Sequence, residues 1–274
     1  MAGLEGTRPT GHGRARGLVS SRVSGERVDV ATFAPSPDLA PYVADYWASR
    51  WDLPPEAPHR VELLADPSVH IVFETEQSRV VGLSTQLWRR ELRGRSFVRA
   101  VKLRPGAAQA FLPCAASHLT DRITPFLELF PDATALEPQV LAPVEDEAGL
   151  LHIEAWLRAR VRTPEDPKVA LATRVVAHIA AHPEVTSAAV LADAFELHPR
   201  VLQRLFRDHV GASPKWAIRR ARLQEAALRL EAGWEGSLAD LAAELGYADH
   251  AHLTRDFQSA TGRAPASFRR DVWT

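Results

Sequence analysis

The sequence predicts an α+β protein of two domains: an antiparallel β sandwich or barrel-like domain with short helices, then an all-α domain with two helix–turn–helix subdomains. Three observations support this prediction. The chain has 274 residues, more than one domain of typical size needs. Short apolar runs separated by turn residues dominate the first half. The last third contains two similar segments, Leu191–Trp216 and Leu241–Phe268.

Composition limits the class of protein. The net charge is -1 and 46% of the residues are hydrophobic, so the whole chain lacks the basic excess of a general nucleic-acid binder. Cys114 is the single cysteine, which excludes an internal disulfide and favours the cytoplasm. No apolar run is long enough to cross a membrane, and no cofactor motif is present. Residues 1–28 are rich in Gly, Arg and Ser, and we expect a disordered tail without the apolar core of a signal peptide.

Residues 29–135 are predicted to form the β-rich domain, with a role in sensing or association. The segment YVADYWASRW, residues 42–51, has helix-like or mixed spacing. Ala107–Phe111 and Phe126–Phe130 are expected to be helical. Short apolar runs bounded by turn residues are predicted as the strands Val61–Leu64, Val69–Phe73, Val80–Leu83, Gln86–Leu92 and Phe97–Leu103.

Residues 136–165 are assigned to a linker with an amphipathic helix, because prolines and acidic residues are frequent between residues 131 and 149. Within it, Leu150–Val161 places apolar residues three or four positions apart. This face could pair with a second copy of the chain or pack on its own domain, and the sequence leaves both alternatives open.

Residues 166–274 are predicted to be helical and to bind DNA. Both similar segments open with Leu-Ala and contain L-x-x-x-F, Leu202–Phe206 in one and Leu253–Phe257 in the other. Both then repeat the spacing F-x-x-x-x-G-x-x-P. The helix Ser213–Ala232 joins them and would span roughly 30 Å, close to the roughly 34 Å of one DNA turn. Two recognition helices at that separation fit successive major grooves.

The second helix of each unit carries side chains suited to base edges. In the first unit the outward positions hold Arg200, Gln203, Arg204 and Arg207, while Val201 and Leu202 are expected to face inward. Arginine pairs with guanine and glutamine with adenine. In the second unit the outward residues are His250, Ala251, Thr254 and Arg255.

Local charge distinguishes the two units. Between His198 and Arg222, seven basic residues face one acid, Asp208, which predicts a phosphate-binding surface. Between Glu235 and Gly262, five acids face Arg255 alone. We therefore expect the first unit to supply most of the affinity and the second to adjust specificity. The predicted phosphate contacts are Arg207, Lys215, Arg219, Arg220 and Thr254.

The segments LQRLFRDHVGASPKW and LADLAAELGYADHAHLTRDFQSATGRAPASFRR resemble the DNA-binding domain of the AraC/XylS family of bacterial transcription regulators. The likeness covers about residues 168–271. It implies two helix–turn–helix subdomains that recruit or block RNA polymerase at promoters. Position by position, it implies base contacts from Arg200, Gln203, Arg204, His250, Ala251 and Arg255. Ala251 cannot donate a hydrogen bond but can touch a thymine methyl.

The N-terminal segments APSPDLAPYVADYW, LADPSVHIVFE, KLRPGAAQAFL and LTDRITPFLELF are similar to the sensor-like domains that precede this DNA-binding domain. The resemblance implies a ligand-sensing or dimerising role. The predicted partners are double-stranded promoter DNA, RNA polymerase and an unidentified small-molecule effector, with the chain as a monomer or a homodimer.

Other site types are disfavoured. The residues His59, Glu62, Asp66, His70 and Glu74 lack the H-x-H pair of a cupin-type metal centre. Cys114 lacks neighbouring cations and is expected to be a small packed residue. The tryptophans Trp47, Trp51 and Trp88 suit core packing better than a ligand pocket. We therefore predict a transcriptional regulator and no enzyme. The alternatives are an enzyme with a DNA-targeting domain and a DNA binder without an effector.

Overall fold

The computed structural model describes residues 28–54, 56, 58–75, 77–161 and 166–268. The predicted tail lies outside these residues except for Val28. Within them, the chain forms a β-rich domain followed by a helical domain, as the sequence predicts. None of the described helices is long and apolar enough to cross a membrane.

The β-rich domain contains two antiparallel sheets. Its strands are β1 Val28–Phe33, β2 Val43–Asp52, β3 His59–Leu63, β4 His70–Phe73, β5 Arg79–Val81, β6 Trp88–Leu92, β7 Arg95–Leu103 and β8 Ile123–Pro125. Six of them form one sheet in the order β1-β2-β7-β4-β5-β8, and β3 pairs with β6 in the other. One face of the large sheet packs against the small sheet through residues such as Val72, Leu92 and Val98.

The interpretation of residues 42–51 as helix-like or mixed is wrong, because they form most of the ten-residue strand β2. Tyr46 and Ala48 point toward one core, whereas Trp47 and Trp51 belong to the other. When both faces of a strand are covered, the apolar and polar residues no longer alternate. The strand β1 was missed as well.

The assignment of residues 136–165 to a linker is also corrected for residues 136–161, and residues 162–165 lie outside the described residues. Three helices, α1 Phe126–Leu129, α2 Leu136–Leu141 and α3 Asp146–Arg158, pack on the other face of the large sheet. Leu150, Ile153 and Leu157 are buried there beside Tyr46 and Phe126. The apolar face of α3 therefore belongs to its own domain. Arg99 fixes the loop before α3, donating to the Val140 and Pro143 carbonyls and to Asp146.

The helical domain consists of two units around a long helix. The first unit contains α4 Pro167–Ala181, α5 Ala188–Ala194 and α6 Pro199–Leu205. The helix α7 Pro214–Glu231 follows, and the second unit adds α8 Leu238–Glu244, α9 His250–Thr261 and a helical turn at 265–268. Leu202 and Phe206 lie in the first core, and Leu253 and Phe257 occupy the equivalent places in the second.

Candidate nucleic-acid interface

The first recognition helix, α6, begins at Pro199, and the Nδ1 atom of His198 accepts a hydrogen bond from the Arg200 amide at 3.2 Å. Histidine therefore serves as the N-cap where a serine-type residue is more usual. After Leu205 the helix widens into a π-type turn that ends at Gly211, whose φ is 92°. A residue in the left-handed backbone conformation ends the helix there, and glycine adopts this conformation readily.

The side chains predicted to contact bases from α6 are accessible. Arg200, Gln203 and Arg204 are exposed, and so is Arg207, which forms an ion pair with Asp208 at 2.8 Å. The inward placement of Val201 is wrong, because its side chain is 39% exposed and lies outside the core of the unit. It follows Arg200 in the first turn of α6, the part of a recognition helix that contacts base edges.

The second recognition helix, α9, begins after Asp249, whose carboxylate accepts a hydrogen bond from the His252 amide at 2.6 Å. His250 and Arg255 are exposed, while Ala251 and Thr254 are half-buried. The scaffold helix α8 starts with a complete reciprocal capping box between Ser237 and Asp240. Both units thus present an anchored helix with its first turn toward solvent.

The predicted phosphate contacts on α7 occupy different surroundings. Lys215 is exposed, and the Arg219 side chain is half-exposed but paired with Asp256 on α9 at 3.0 Å. Arg220 is 4% exposed and donates to the Thr85 carbonyl of the β-rich domain at 2.6 Å. In this conformation Arg220 cannot reach a phosphate, and its placement as a phosphate contact is corrected. The excess positive charge of the first unit is therefore smaller at its surface than in its sequence.

Arg222 is also buried, and it joins α7 to the second unit. Its Nε atom donates to the Leu245 carbonyl at 2.6 Å, and its guanidinium lies 3.8 Å from the centre of the Tyr247 ring. Burial lowers the pKa of Arg222 and raises the pKa of Tyr247 to about 12. These contacts hold the turn between α8 and α9 against the long helix.

The β-rich domain contacts both units. The Thr120 hydroxyl donates to the Gly211 carbonyl at 2.6 Å, and Thr173 on α4 donates to the Pro105 carbonyl at 3.0 Å. A Cβ atom at Gly211 would lie 2.9 Å from the Thr120 oxygen, so the close approach also requires glycine. On the second unit, Arg263 pairs with Glu62 at 3.3 Å. Sequence analysis missed this interface, because no local pattern marks it.

The other candidate residues of the β-rich domain show structural roles. Trp51 is buried in the core between the sheets, and Trp47 donates to the Nδ1 atom of His70 at 3.3 Å. Glu74 binds Arg79 and Arg90. Burial raises the pKa of the Cys114 thiol, which disfavours the reactive thiolate. Among the described residues, no three His, Cys, Asp or Glu side chains are placed to hold a metal ion.

Two family models match the chain. A model described as a helix-turn-helix domain matches residues 191–271, and a model of a domain of unknown function, DUF6597, matches residues 31–125. The helix-turn-helix match extends from α5 through α9, the region in which the sequence predicts two helix–turn–helix subdomains. The DUF6597 match ends with β8 and leaves out α1–α3, and the helix-turn-helix match begins within α5 and leaves out α4. The second model leaves the role of the β-rich domain open.

Curated relatives resemble the helical domain. Over 84 residues the chain is 34% identical to the HTH-type transcriptional activator RhaS of Pectobacterium carotovorum, covering 31% of this chain and 30% of the relative. An uncharacterized HTH-type transcriptional regulator of Haemophilus influenzae is 35% identical over 69 residues, covering 25% of this chain and 23% of the relative. The chain therefore spans less than a third of the length of these relatives.

Solved structures are more distant. An AraC-type regulator from Chromobacterium violaceum covers 39% of this chain and 92% of its own, at 22% identity and a TM-score of 0.35. A variant of ToxT from Vibrio cholerae covers 83% of this chain and 97% of its own, at 11% identity and a TM-score of 0.41.

Proposed function

We propose that this protein is a sequence-specific, DNA-binding transcriptional regulator that inserts α6 and α9 into successive major grooves. The observation that carries the proposal is the pair of capped helices joined by α7, each with exposed polar side chains in or beside its first turn. The helix α7 has 18 residues and measures roughly 27 Å, compared with the roughly 34 Å rise of one turn of B-DNA. The match of residues 191–271 to a helix-turn-helix domain supports the same conclusion.

Base contacts are proposed for Arg200, Gln203, Arg204, His250, Ala251 and Arg255. Phosphate contacts are proposed for Arg207, Lys215, Arg219 and Thr254. To bind a phosphate, Arg219 would have to leave its ion pair with Asp256; if the pair persists, Arg219 instead holds α9 in place. Exposed cations on one helical surface release counterions when they meet the DNA backbone, which favours association.

A regulatory role for the β-rich domain is part of the proposal. Its contacts to both units, through Thr120 to Gly211 and through Glu62 to Arg263, offer a physical route by which a bound signal alters the recognition helices. We infer a cytoplasmic regulator, not an enzyme. RNA polymerase is a proposed partner at the promoter and a small molecule a proposed effector, and the chain acts as a monomer or a homodimer.

The experiment is selection of bound sequences from random duplex DNA with the full chain, followed by titration of the selected operator. Replacing Arg204 with alanine should cost about 1–3 kcal/mol and relax the preference at one base pair. Arg95→Ala is the control, since Arg95 is an exposed arginine on the β-rich domain. An equal loss of affinity on every sequence would instead make Arg204 a phosphate contact, and failure to enrich any sequence would refute the proposal.

A further inference from the structure

One leucine of the β-rich domain lies inside the core of the second helix–turn–helix unit. Leu64 directly follows strand β3, and it is 0% exposed. Its neighbours in the cluster are not strand residues but side chains of α7, α8, α9 and the final helical turn: Leu223, Ala227, Leu241, Leu253, Phe257 and Phe268. Leu87, from the segment before strand β6, packs on the same cluster. The second unit thus completes its core with residues from outside the helical domain.

Polar contacts hold the Leu64 segment in this place. The Gln224 side-chain amide on α7 donates to the Leu64 carbonyl at 2.9 Å. Two residues earlier, Glu62 pairs with Arg263, which follows the end of α9, at 3.3 Å. Glu62 also accepts a hydrogen bond from Arg89 on the paired strand at 3.0 Å. The segment is therefore bound to both the long helix and the region beyond the second recognition helix.

The same segment is tied to the large sheet. Asp66 forms an ion pair with Lys102 on β7 at 2.5 Å. Lys102 stands between Asp45 on β2 and His70 on β4 in the registers of the three strands. Glu62, Leu64 and Asp66 therefore connect the centre of the sheet to the core beneath α9 within five residues.

The first unit is built differently. Among the described residues, its core cluster contains side chains of α4, α5, α6, the π-type turn, α7 and the turns between these helices, and none from the β-rich domain. The first unit meets the β-rich domain outside its own core: Val169 at the start of α4 is buried in the core of the β-rich domain, and hydrogen bonds join Thr120 to Gly211 and Thr173 to Pro105. Loss of docking should therefore disturb the packing of α9 more than that of α6.

We propose that Leu64 is a positioning residue for the second recognition helix, so that recognition of the second DNA subsite depends on the docked β-rich domain. The first subsite is the part of the operator bound by α6, and the second is the part bound by α9. The inference rests on the proposed function. Truncating Leu64 leaves a gap in the core that contains Leu253 and Phe257 of α9, and we expect α9 to lose its fixed angle to α7.

The test uses the full chain with Leu64→Ala, the conservative Leu64→Met, and Leu39→Ala as a matched control in the core of the β-rich domain. Each is titrated against the selected operator and against operators with one base pair changed in either subsite. One wrong base pair normally weakens binding by roughly five- to 150-fold. For Leu64→Ala we expect the penalty to fall below about threefold in the second subsite and to persist in the first. Leu64→Met should show the normal mismatch penalty in both subsites, and so should Leu39→Ala.

Two results would overturn the inference: equal loss of discrimination in both subsites, or no loss in either. If Leu64→Ala does not fold, Glu62→Gln decides, because it weakens the Arg263 pair without emptying the core, and it should reduce discrimination in the second subsite alone. Retention of full discrimination by Glu62→Gln would then reject the role of this segment. Absence of any preferred operator for the wild-type chain would instead reject the proposed function.

Discussion

Replacing Arg220 with methionine tests whether this residue serves the domain interface or the DNA backbone. The Arg220 guanidinium is buried, donates to the Thr85 carbonyl at 2.6 Å and lies 4.8 Å from the centre of the Trp216 ring. Its Nη1 atom is buried without a hydrogen-bond partner among the described residues. Methionine keeps much of the aliphatic length and removes the charge.

The expected change in stability follows from opposing contributions. Burial lowers the pKa of Arg220 to about 10, which disfavours the charged side chain by roughly 3 kcal/mol. Against this, a hydrogen bond from a charged donor contributes about 1.5–3 kcal/mol, and a cation above an aromatic ring about 0.5–2 kcal/mol. These contributions nearly cancel, so Arg220→Met should change the free energy of unfolding by about 1 kcal/mol or less. Arg220→Ala should cost roughly 2 kcal/mol more because it also leaves a cavity.

Urea denaturation measures the stability, and DNA binding at several salt concentrations measures the phosphate contacts. Arg220→Met should leave the dependence of log K on log salt unchanged, whereas Lys215→Met, at an exposed position, should reduce the slope by about 0.9. If Arg220→Met reduces the slope as much as Lys215→Met, then Arg220 leaves Thr85 and binds phosphate in the complex. If Arg220→Met loses more than roughly 3 kcal/mol of stability, the cost of burying the charge does not cancel the hydrogen bond and the aromatic contact.

Three further predictions concern other surfaces. Hydrogen bonds from Arg158 and Ser36 lower the pKa of Asp38 from 3.8 to about 2. The stability that they contribute is therefore present above pH 3.8 and is lost as the pH falls toward 2. Asp38→Asn should remove this part of the pH dependence of the melting temperature, and the effect should be small because the Asp38–Arg158 pair is half-exposed. If the exposed Val201 side chain touches a thymine methyl, replacing that thymine with uracil should weaken DNA binding by the wild-type protein about fourfold. The same replacement should leave the DNA affinity of Val201→Ala unchanged. Equal loss of affinity in both proteins would exclude the contact. Arg204→Ala should weaken operator binding at matched salt more than Arg255→Ala, and the reverse order would contradict the assignment of most affinity to the first unit.

The helical domain was predictable in detail because its constraints are local in sequence. The glycine that closes each recognition helix has positive φ, 92° at Gly211 and 74° at Gly262, and Ser213-Pro214 supplies the cap and first residue of α7. Glycine, serine and proline are selected by backbone geometry over a few residues. Val201 was misplaced because one apolar residue beside Leu202 fits a core position and an exposed first turn equally well.

The β-rich domain was predictable in class but not in its connections. The packing of α3 on the large sheet depends on Arg99, which donates hydrogen bonds to backbone carbonyls more than 40 residues away in sequence. Proline and acidic residues gave the segment before α3 the composition of a linker, although Leu136 and Val140 are buried in it. Contacts between residues so far apart in sequence leave no periodic pattern. The contact of Leu64 with the second unit is of this kind, because in the sequence Leu64 is typical of the last residue of a strand.

The buried arginines of α7 connect parts of the protein and add little to its surface charge. Arg220 and Arg222 use their charge inside the protein, on the Thr85 and Leu245 carbonyls, and Arg219 is held by Asp256. Arg200 and Arg204 remain at the surface of α6. A local count of charge in the sequence therefore overstates the electrostatic contribution of α7 and leaves that of α6 intact. Because the arginines of α7 join it to the β-rich domain and to the second unit, the long helix acts as the structural axis of the molecule. We therefore expect the first recognition helix and Lys215 to supply most of the phosphate affinity.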